Sequence, residues 1–199
     1  MKKISAIFMC SVLCAVGAQI YAPTVANAAA PRASDNPMFG PYRNQISLYV
    51  GWGSDSSRLY PDFNYMVPFG IVQLQYSQPI AFLRLPSRVN ITGGYTFGWG
   101  KSGGENWRDY SHLVASLSWD AAFLNWRGFY LGAGLGIAMK SGMDARQDSR
   151  VMFTPRAFLG YRIADRWGAE LFFQHYSDGN LTPVNAAYNF VGIGTTYSF

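Results

Sequence analysis

The stretch "RWGAELFFQHYSDGN", residues 166–180, decides the fold. From Trp167 every second residue is apolar (Trp167, Ala169, Leu171, Phe173), and the series then continues as His175 and Ser177. The other parity holds Glu170 and Gln174. Strict alternation of this kind describes a β-strand with one apolar and one polar face. That an apolar face should finish in a histidine and a serine calls for a chemical reason.

The same period-two pattern recurs at 45–53, 67–78, 88–100, 111–123, 127–140, 151–163 and 187–199, with turn-rich segments between. This predicts eight strands of about 9–13 residues, the length that crosses a bilayer at a tilt. An open sheet edge cannot exist in hydrocarbon, so the strands must close into an antiparallel transmembrane β-barrel over 45–199. Apolar side chains then face lipid. The lumen receives His112, Asp120, Arg156, Arg162, Glu170, Gln174 and a glycine column within 127–140, as a crowded small barrel requires. Of these, Glu170, Asp120, Arg156 and Arg162 are expected to form lumen ion pairs. Short connections at 124–126 and 164–165 alternate with long ones at 54–66, 101–110, 142–150 and 178–186. The medium-length segment 79–87 is the exception. Short turns face the periplasm in outer-membrane barrels, which predicts periplasmic termini and an outward-running seventh strand.

Composition agrees with a lipid-facing surface. Aromatics make up 17% of the 199 residues and charged residues only 14%, against about 25% in a soluble domain. A basic Met1-Lys2-Lys3, an apolar run to Ile20 and the Ala26-Asn27-Ala28 site read as a signal peptide over 1–28. Residues 29–44 would follow as an N-terminal periplasmic segment. Both cysteines, Cys10 and Cys14, lie in the leader, so disulfides, thiol nucleophiles and cysteine metal sites drop out together. Lys2 and Lys3 also leave with it; fourteen basic residues then face eleven acidic ones, too mild an excess to suggest nucleic acid.

On this topology His175 and Ser177 lie at the outer end of the seventh strand, facing lipid. Two residues apart, they project from one face, where the imidazole can take the serine's proton as in an acyl hydrolase. Asn189, near the outer end of the eighth strand and at the lipid-facing parity of Val191 and Ile193, can orient the imidazole through its side-chain oxygen. An H-x-S pair at a barrel rim can equally serve to solvate the interface. His112, the other histidine, has no spaced partner for a metal and reads as a satisfied lumen or rim residue. The tryptophans and tyrosines near strand ends read as interfacial girdles.

Residues 175–189, "HYSDGNLTPVNAAYN", resemble the H-x-S-N-x-G signature region of the lipid A 3-O-deacylases, the PagL family. The likeness extends through "FYLGAGLGIAMKS" (129–141) and the strand pair ending in Phe199. It implies an eight-stranded barrel with its histidine and serine on the outside, in the leaflet that holds lipopolysaccharide. It implies hydrolysis of the ester at position 3 of lipid A, with release of a 3-hydroxy fatty acid and no metal or organic cofactor. Ser177 would be the nucleophile, His175 the base and Asn189 the orienting group. Where the family has asparagine after the serine this chain has Asp178. A carboxylate there repels a developing oxyanion unless it is protonated or turned away, which leaves the backbone N–H groups of Gly179 and Asn180 to serve. Asn189 stands where well-known members carry glutamate, and resembles the Ser-His-Asn set of outer-membrane phospholipase A. Asn185-Ala186-Ala187 replaces the family's Asn-Pro-Gly. Phe199, with Tyr197 and Ile193 at alternate positions, resembles the C-terminal signal read by the barrel-assembly machinery.

The sequence thus predicts an outer-membrane serine esterase acting on lipid A, surrounded by outer-membrane lipids. Two rivals remain at this stage, a catalytically degenerate structural or lipid-binding barrel and a phospholipase-type acyl hydrolase. The oligomeric state, a homodimer included, is left open.

Overall fold

A computed structural model describes residues 36–55, 66–102 and 104–199; the expected signal peptide lies outside them. Eight strands close into one antiparallel barrel. They are β1 (Gln45–Asp55), β2 (Met66–Phe82), β3 (Leu85–Gly98), β4 (Leu113–Trp126) and β5 (Phe129–Lys140), followed by β6 in two pieces (Val151–Phe153 and Arg156–Arg162), β7 (Trp167–Tyr176) and β8 (Tyr188–Ser198). Each strand pairs with its neighbours in the chain, and β1 pairs with β8 to close the ring, Gln45 opposite Ser198. Side chains of the apolar parity, such as Leu48, Leu74, Ile91, Leu117, Leu135, Leu171 and Ile193, are exposed on the outer wall.

Three details differ from the sequence expectation. The medium-length connection at 79–87 is a two-residue turn, Leu83-Arg84, and the β2–β3 ladder runs unbroken down to Phe82 opposite Leu85. Pro79 and Pro86 signal a loop in sequence, yet both take part in that ladder. The short connection expected at 124–126 lies instead at Arg127-Gly128. A bulge between Ala122 and Leu124 reverses the parity of β4, so that Leu124 and Trp126 continue the outer wall. Finally, Pro155, which has no N–H to give, splits β6 at Thr154-Pro155.

Four charged side chains, Arg88, Asp120, Arg156 and Glu170, meet in the lumen. Arg88 donates from Nε to Asp120 Oδ2 at 2.8 Å and from both terminal nitrogens to Glu170, at 2.8 and 3.0 Å. Arg156 donates to Glu170 Oε2 at 3.3 Å, and the hydroxyls of Tyr49 and Tyr130 donate to the same carboxylate at 2.7 and 2.9 Å. Asp120, Arg156 and Glu170 thus meet as expected, but Arg162 does not join them. It lies at the short-turn rim, packed over Gly40 and donating to the carbonyl of Asp165. Arg88, at the edge of a sequence-read strand, takes its place. The glycine column is a matter of volume: a Cβ at Gly134 would stand 1.9 Å from Asp120 Oδ1, and one at Gly160 would stand 2.0 Å from the Tyr130 ring.

Both mouths are filled. Residues 36–42 tuck into the short-turn end, burying Met38 and Phe39, with Asn36 Nδ2 donating to Ser87 O at 2.7 Å and Gln45 Nε2 to Met38 O at 2.8 Å. The described part of the expected N-terminal segment therefore plugs this end of the barrel. At the other end a 3-10 turn, Trp107–Tyr110, lays its aromatic rings against Phe69 and Tyr188. Beside it Asp144 accepts from Lys140 Nζ at 2.5 Å, Tyr188 OH at 2.7 Å and the Arg146 and Gln147 N–H groups at 3.0 Å. Burial alone would raise the Asp144 carboxyl. These hydrogen bonds and the Lys140 charge nevertheless hold it below its ordinary value.

Two outcomes follow from this packing. Glu170→Ala leaves Arg88 and Arg156 buried without their shared partner, and the urea midpoint should fall by the equivalent of about 3–5 kcal/mol; an unchanged midpoint would contradict the central role of this cluster. Because the folded pKa of Asp144 is depressed, its contribution is complete above the unfolded value and is lost as pH falls through the folded one. Loops 141–150 and 178–187 should therefore stay protected at neutral pH and loosen below about pH 4, read by hydrogen exchange, whereas Asp144→Asn loosens them already at pH 7.

Candidate active site

β7 runs from the short-turn end to the long-loop end, and its outward positions finish with His175 and, one step beyond the strand, Ser177. His175 sits opposite Asn189 on β8, and its N–H donates to the Pro155 carbonyl on the β6 side at 2.9 Å. Side chains of opposed residues stand close together across a ladder. The His175 Nδ1–H donates to Asn189 Oδ1 at 2.6 Å. Asn189 is only 5% exposed, so water does not compete for that oxygen. With the proton held on Nδ1, Nε2 keeps its lone pair and can act as a base.

Ser177 is held by backbone bonds to β6, with Phe153 N–H donating to its carbonyl at 2.7 Å and its own N–H donating to the Phe153 carbonyl at 3.2 Å. It lies about 7 Å along the strand from His175 on the same face. No imidazole–hydroxyl hydrogen bond joins the two among the described residues. A proton transfer between them would require rotation of the two side chains, and catalytic hydrogen bonds commonly tighten in this way when substrate seats. Below the pair on the same face lie Phe173 and Leu171, flanked by Val191 and Ile193 on β8 and Ala157 and Leu159 on β6, an apolar bed leading toward the membrane centre.

Asp178 occupies the next, inward position and is fully buried. Its Oδ1 accepts the Asn180 N–H at 2.8 Å. Its Oδ2 accepts the Thr182 N–H at 3.2 Å and the Thr182 hydroxyl. The carboxylate is thus turned away from the face that carries Ser177. The Asn180 N–H is consumed by it, while the Gly179 N–H makes no hydrogen bond among the described residues. Gly179 and Asn180 both take left-handed backbone, at φ +71° and +64°. A Cβ at Gly179 would press on the Phe153 ring at 3.2 Å, so glycine suits both the angle and the space. Of the three residues proposed for an oxyanion hole, Gly179 is the one with a free donor.

Several contributors have no periodic signal in sequence. Asn185 accepts the Asp178 N–H at 3.2 Å and Gln147 Nε2 at 3.3 Å, and donates to Asn180 Oδ1 at 3.2 Å. With Ala186 N–H donating to the Arg146 carbonyl at 2.7 Å, it staples the loop after Ser177 to loop 141–150. Phe153 and Pro155 act through their backbones, which side-chain patterns do not reveal. His112 stands apart from the pair, its Nε2 2.9 Å from Asp144 Oδ2, as a satisfied rim residue. Among the described residues no three His, Cys, Asp or Glu side chains gather as a metal site.

Residues 89–198 match the family model described as lipid A 3-O-deacylase (PagL). No curated protein sequence matches the chain. Among solved structures, the outer membrane enzyme PagL aligns over 78% of this chain and 99% of its own, with a TM-score of 0.54 and 16% identity. The N-terminal β-barrel domain of Pseudomonas aeruginosa OprF aligns over 79% and 99%, with a TM-score of 0.50 and 12% identity. At these identities the likeness is one of fold. The family match, in contrast, spans more than half of the sequence, including all of β4 to β8, so the chain belongs to the lipid A 3-O-deacylase (PagL) family and is an integral outer-membrane β-barrel.

Proposed function

We propose that the protein is an outer-membrane esterase that removes the 3-O-linked acyl chain of lipid A through Ser177, His175 and Asn189. The observation that carries this reading is the His175 Nδ1–H···Oδ1 Asn189 bond at 2.6 Å on the lipid-facing wall. It fixes the tautomer a general base needs, at the rim where ester-linked chains meet the headgroup. Family membership supplies the substrate class.

In this reading Nε2 of His175 takes the Ser177 hydroxyl proton as Oγ bonds to the ester carbonyl carbon. The oxyanion that forms is met by the Gly179 N–H. As the carbonyl reforms, the bond to the sugar oxygen breaks, and the proton on Nε2 passes to that departing oxygen. Water from the long-loop side then attacks the acyl-serine, with His175 again taking and returning the proton, and a 3-hydroxy fatty acid leaves. The apolar bed of Phe173, Leu171, Val191 and Ile193 would hold the acyl chain. Asp178 acts through the loop: by binding Asn180 and Thr182 it sets the left-handed pair that presents Gly179.

A phospholipid acyl hydrolase is the second reading, favoured by asparagine as the third member of the set. Purified protein should be assayed on lipid A and on phospholipid in parallel. The proposal expects lipid A from a deacylase-free host expressing the protein to lose the mass of one 3-hydroxyacyl chain, while Ser177→Ala leaves it unchanged. Identical spectra for wild type and Ser177→Ala, with phospholipid also intact, would mean a non-catalytic barrel.

Two variants test the division of roles. Asn189→Ala frees the imidazole to rotate and change tautomer, and should lower kcat by about 10²-fold or more with little change in KM. Asp178→Asn loses one of the two carboxylate oxygens that hold the loop and should also lower kcat, by up to about 10²–10³ if the Gly179 donor is displaced. A gain of activity in Asp178→Asn would instead mark Asp178 as an inhibitory drift from the family's asparagine.

A further inference from the structure

Among the described residues, the short-turn end of the barrel carries five arginines, Arg43, Arg84, Arg127, Arg162 and Arg166, against one acidic side chain, Asp165. Every connection at that end holds at least one of them. None forms an ion pair with a carboxylate among the described residues. Arg166 instead donates to the hydroxyls of Tyr42 and Tyr197, both at 3.2 Å, and lies 5.0 Å from the Tyr42 ring centroid. Arg127 lies 5.1 Å from that of Trp126. A guanidinium lying over an aromatic ring keeps N–H donors for a phosphate, in Arg166 those that Tyr42 and Tyr197 do not take.

Two of the arginines occupy backbone positions that do not favour them. Leu83 and Arg84 both have positive φ, +53° and +62°, in a turn type that prefers Asn-Gly, and Arg127 has φ +50°. Placing these side chains at the tips carries a steric cost that a glycine would avoid. The tips are also apolar. Leu83 is 74% exposed, Ile163 63% and Trp126 61%, with Phe82 and Trp167 exposed beside them. Exposed leucine and tryptophan next to arginine is the composition of a surface seated at a membrane boundary, with apolar stems in the acyl region and charges at headgroup level. A soluble acidic partner would not account for the apolar tips.

We infer that the short-turn rim is a binding surface for anionic phospholipid of the inner leaflet, whose headgroup phosphates are gripped by Arg43, Arg84 and Arg127 and by the tyrosine-backed Arg166. This rests on the short turns facing the periplasm and is independent of the hydrolytic reading. It would anchor the barrel's depth in the membrane from the side opposite the rim that carries His175 and Ser177.

The test is native mass spectrometry of the full-length barrel released from nanodiscs made of equal phosphatidylglycerol and phosphatidylcholine with the same acyl chains. Wild type should retain phosphatidylglycerol in preference, by about five-fold or more. Arg43→Gln/Arg84→Gln/Arg127→Gln should retain the two lipids equally, with folding checked by the mobility shift on boiling. Should that variant not fold, Arg84→Gln and Arg127→Gln singly should each lower the preference. Lys101→Gln/Arg150→Gln at the long-loop end should leave it intact. Absence of a preference in wild type overturns the inference, as does a preference that survives in the arginine variants or disappears with the long-loop pair.

Discussion

The carboxylate of Glu170, buried in the lumen and shared by Arg88, Arg156, Tyr49 and Tyr130, is the contact on which the rest depends. A charge in a barrel interior is tolerable only when it is paired and its remaining lone pairs are met. Glu170 meets both conditions at one register of β7 and at no other. A slip of one residue would send Glu170 and Phe172 toward lipid and bring Leu171 and Phe173 into the lumen beside Arg88 and Arg156. Because side chains alternate, fixing Glu170 inward also fixes His175 and Ser177 outward. The lipid-facing position of the pair is thus decided several residues away, inside the barrel.

The neighbours of β7 complete the arrangement in the same register. The pairing that opposes Glu170 to Gly194 on β8 opposes His175 to Asn189, so the imidazole's partner arrives with the ladder rather than by loop chance. On the other side, the ladder that pairs Gln174 with Arg156 continues past Pro155 to the Phe153–Ser177 bridge. Beyond Ser177 the alternation persists for one more residue and then changes use. Asp178 points inward, where its carboxylate gathers the loop's N–H groups. One strand end therefore separates two tasks by parity, with His175 and Ser177, the proposed reactive pair, on the wall and the loop-holding Asp178 beneath it. The acidic residue that looks hostile to an oxyanion in sequence is spatially on the other side of the backbone.

Much of this was legible in sequence because a membrane barrel writes its fold as parity. The eight strands, the inward Asp120, Arg156 and Glu170 and the His175–Asn189 pairing all follow from period-two alternation with a consistent up-and-down count. What escaped was where parity fails or is silent. The bulge in β4 reverses the alternation after Ala122, so alternation alone ends the strand at Phe123. Alternation leaves 79–87 as a medium-length connection, although the ladder passes through it, Pro79 and Pro86 included. Arg88 and Arg162 each sit near a strand end with the same parity cue, and only the three-dimensional distance to Glu170 separates them. The loop contacts of Asn185, Gln147 and Asp178 are set by turn geometry and by backbone groups, which carry no pattern at all.

The position of the pair on the outer wall also separates the two reactants that ester hydrolysis would require. Below His175 the exposed surface is apolar, so an acyl chain can lie along Phe173 and Leu171 without leaving the hydrocarbon. Above Ser177 the chain turns into an exposed loop, Gly179 to Val184, open to water. In the proposed hydrolysis an ester carbonyl at that boundary would meet an imidazole whose proton is held on Nδ1 toward Asn189, the Gly179 N–H, and water from the loop side. A serine and histidine buried in the lumen would have had neither the lipid nor the water, and a pair one turn of alternation lower would have had the lipid alone. The rim is the depth at which all three coincide, and the lumen charges that fix the register of β7 hold the pair there.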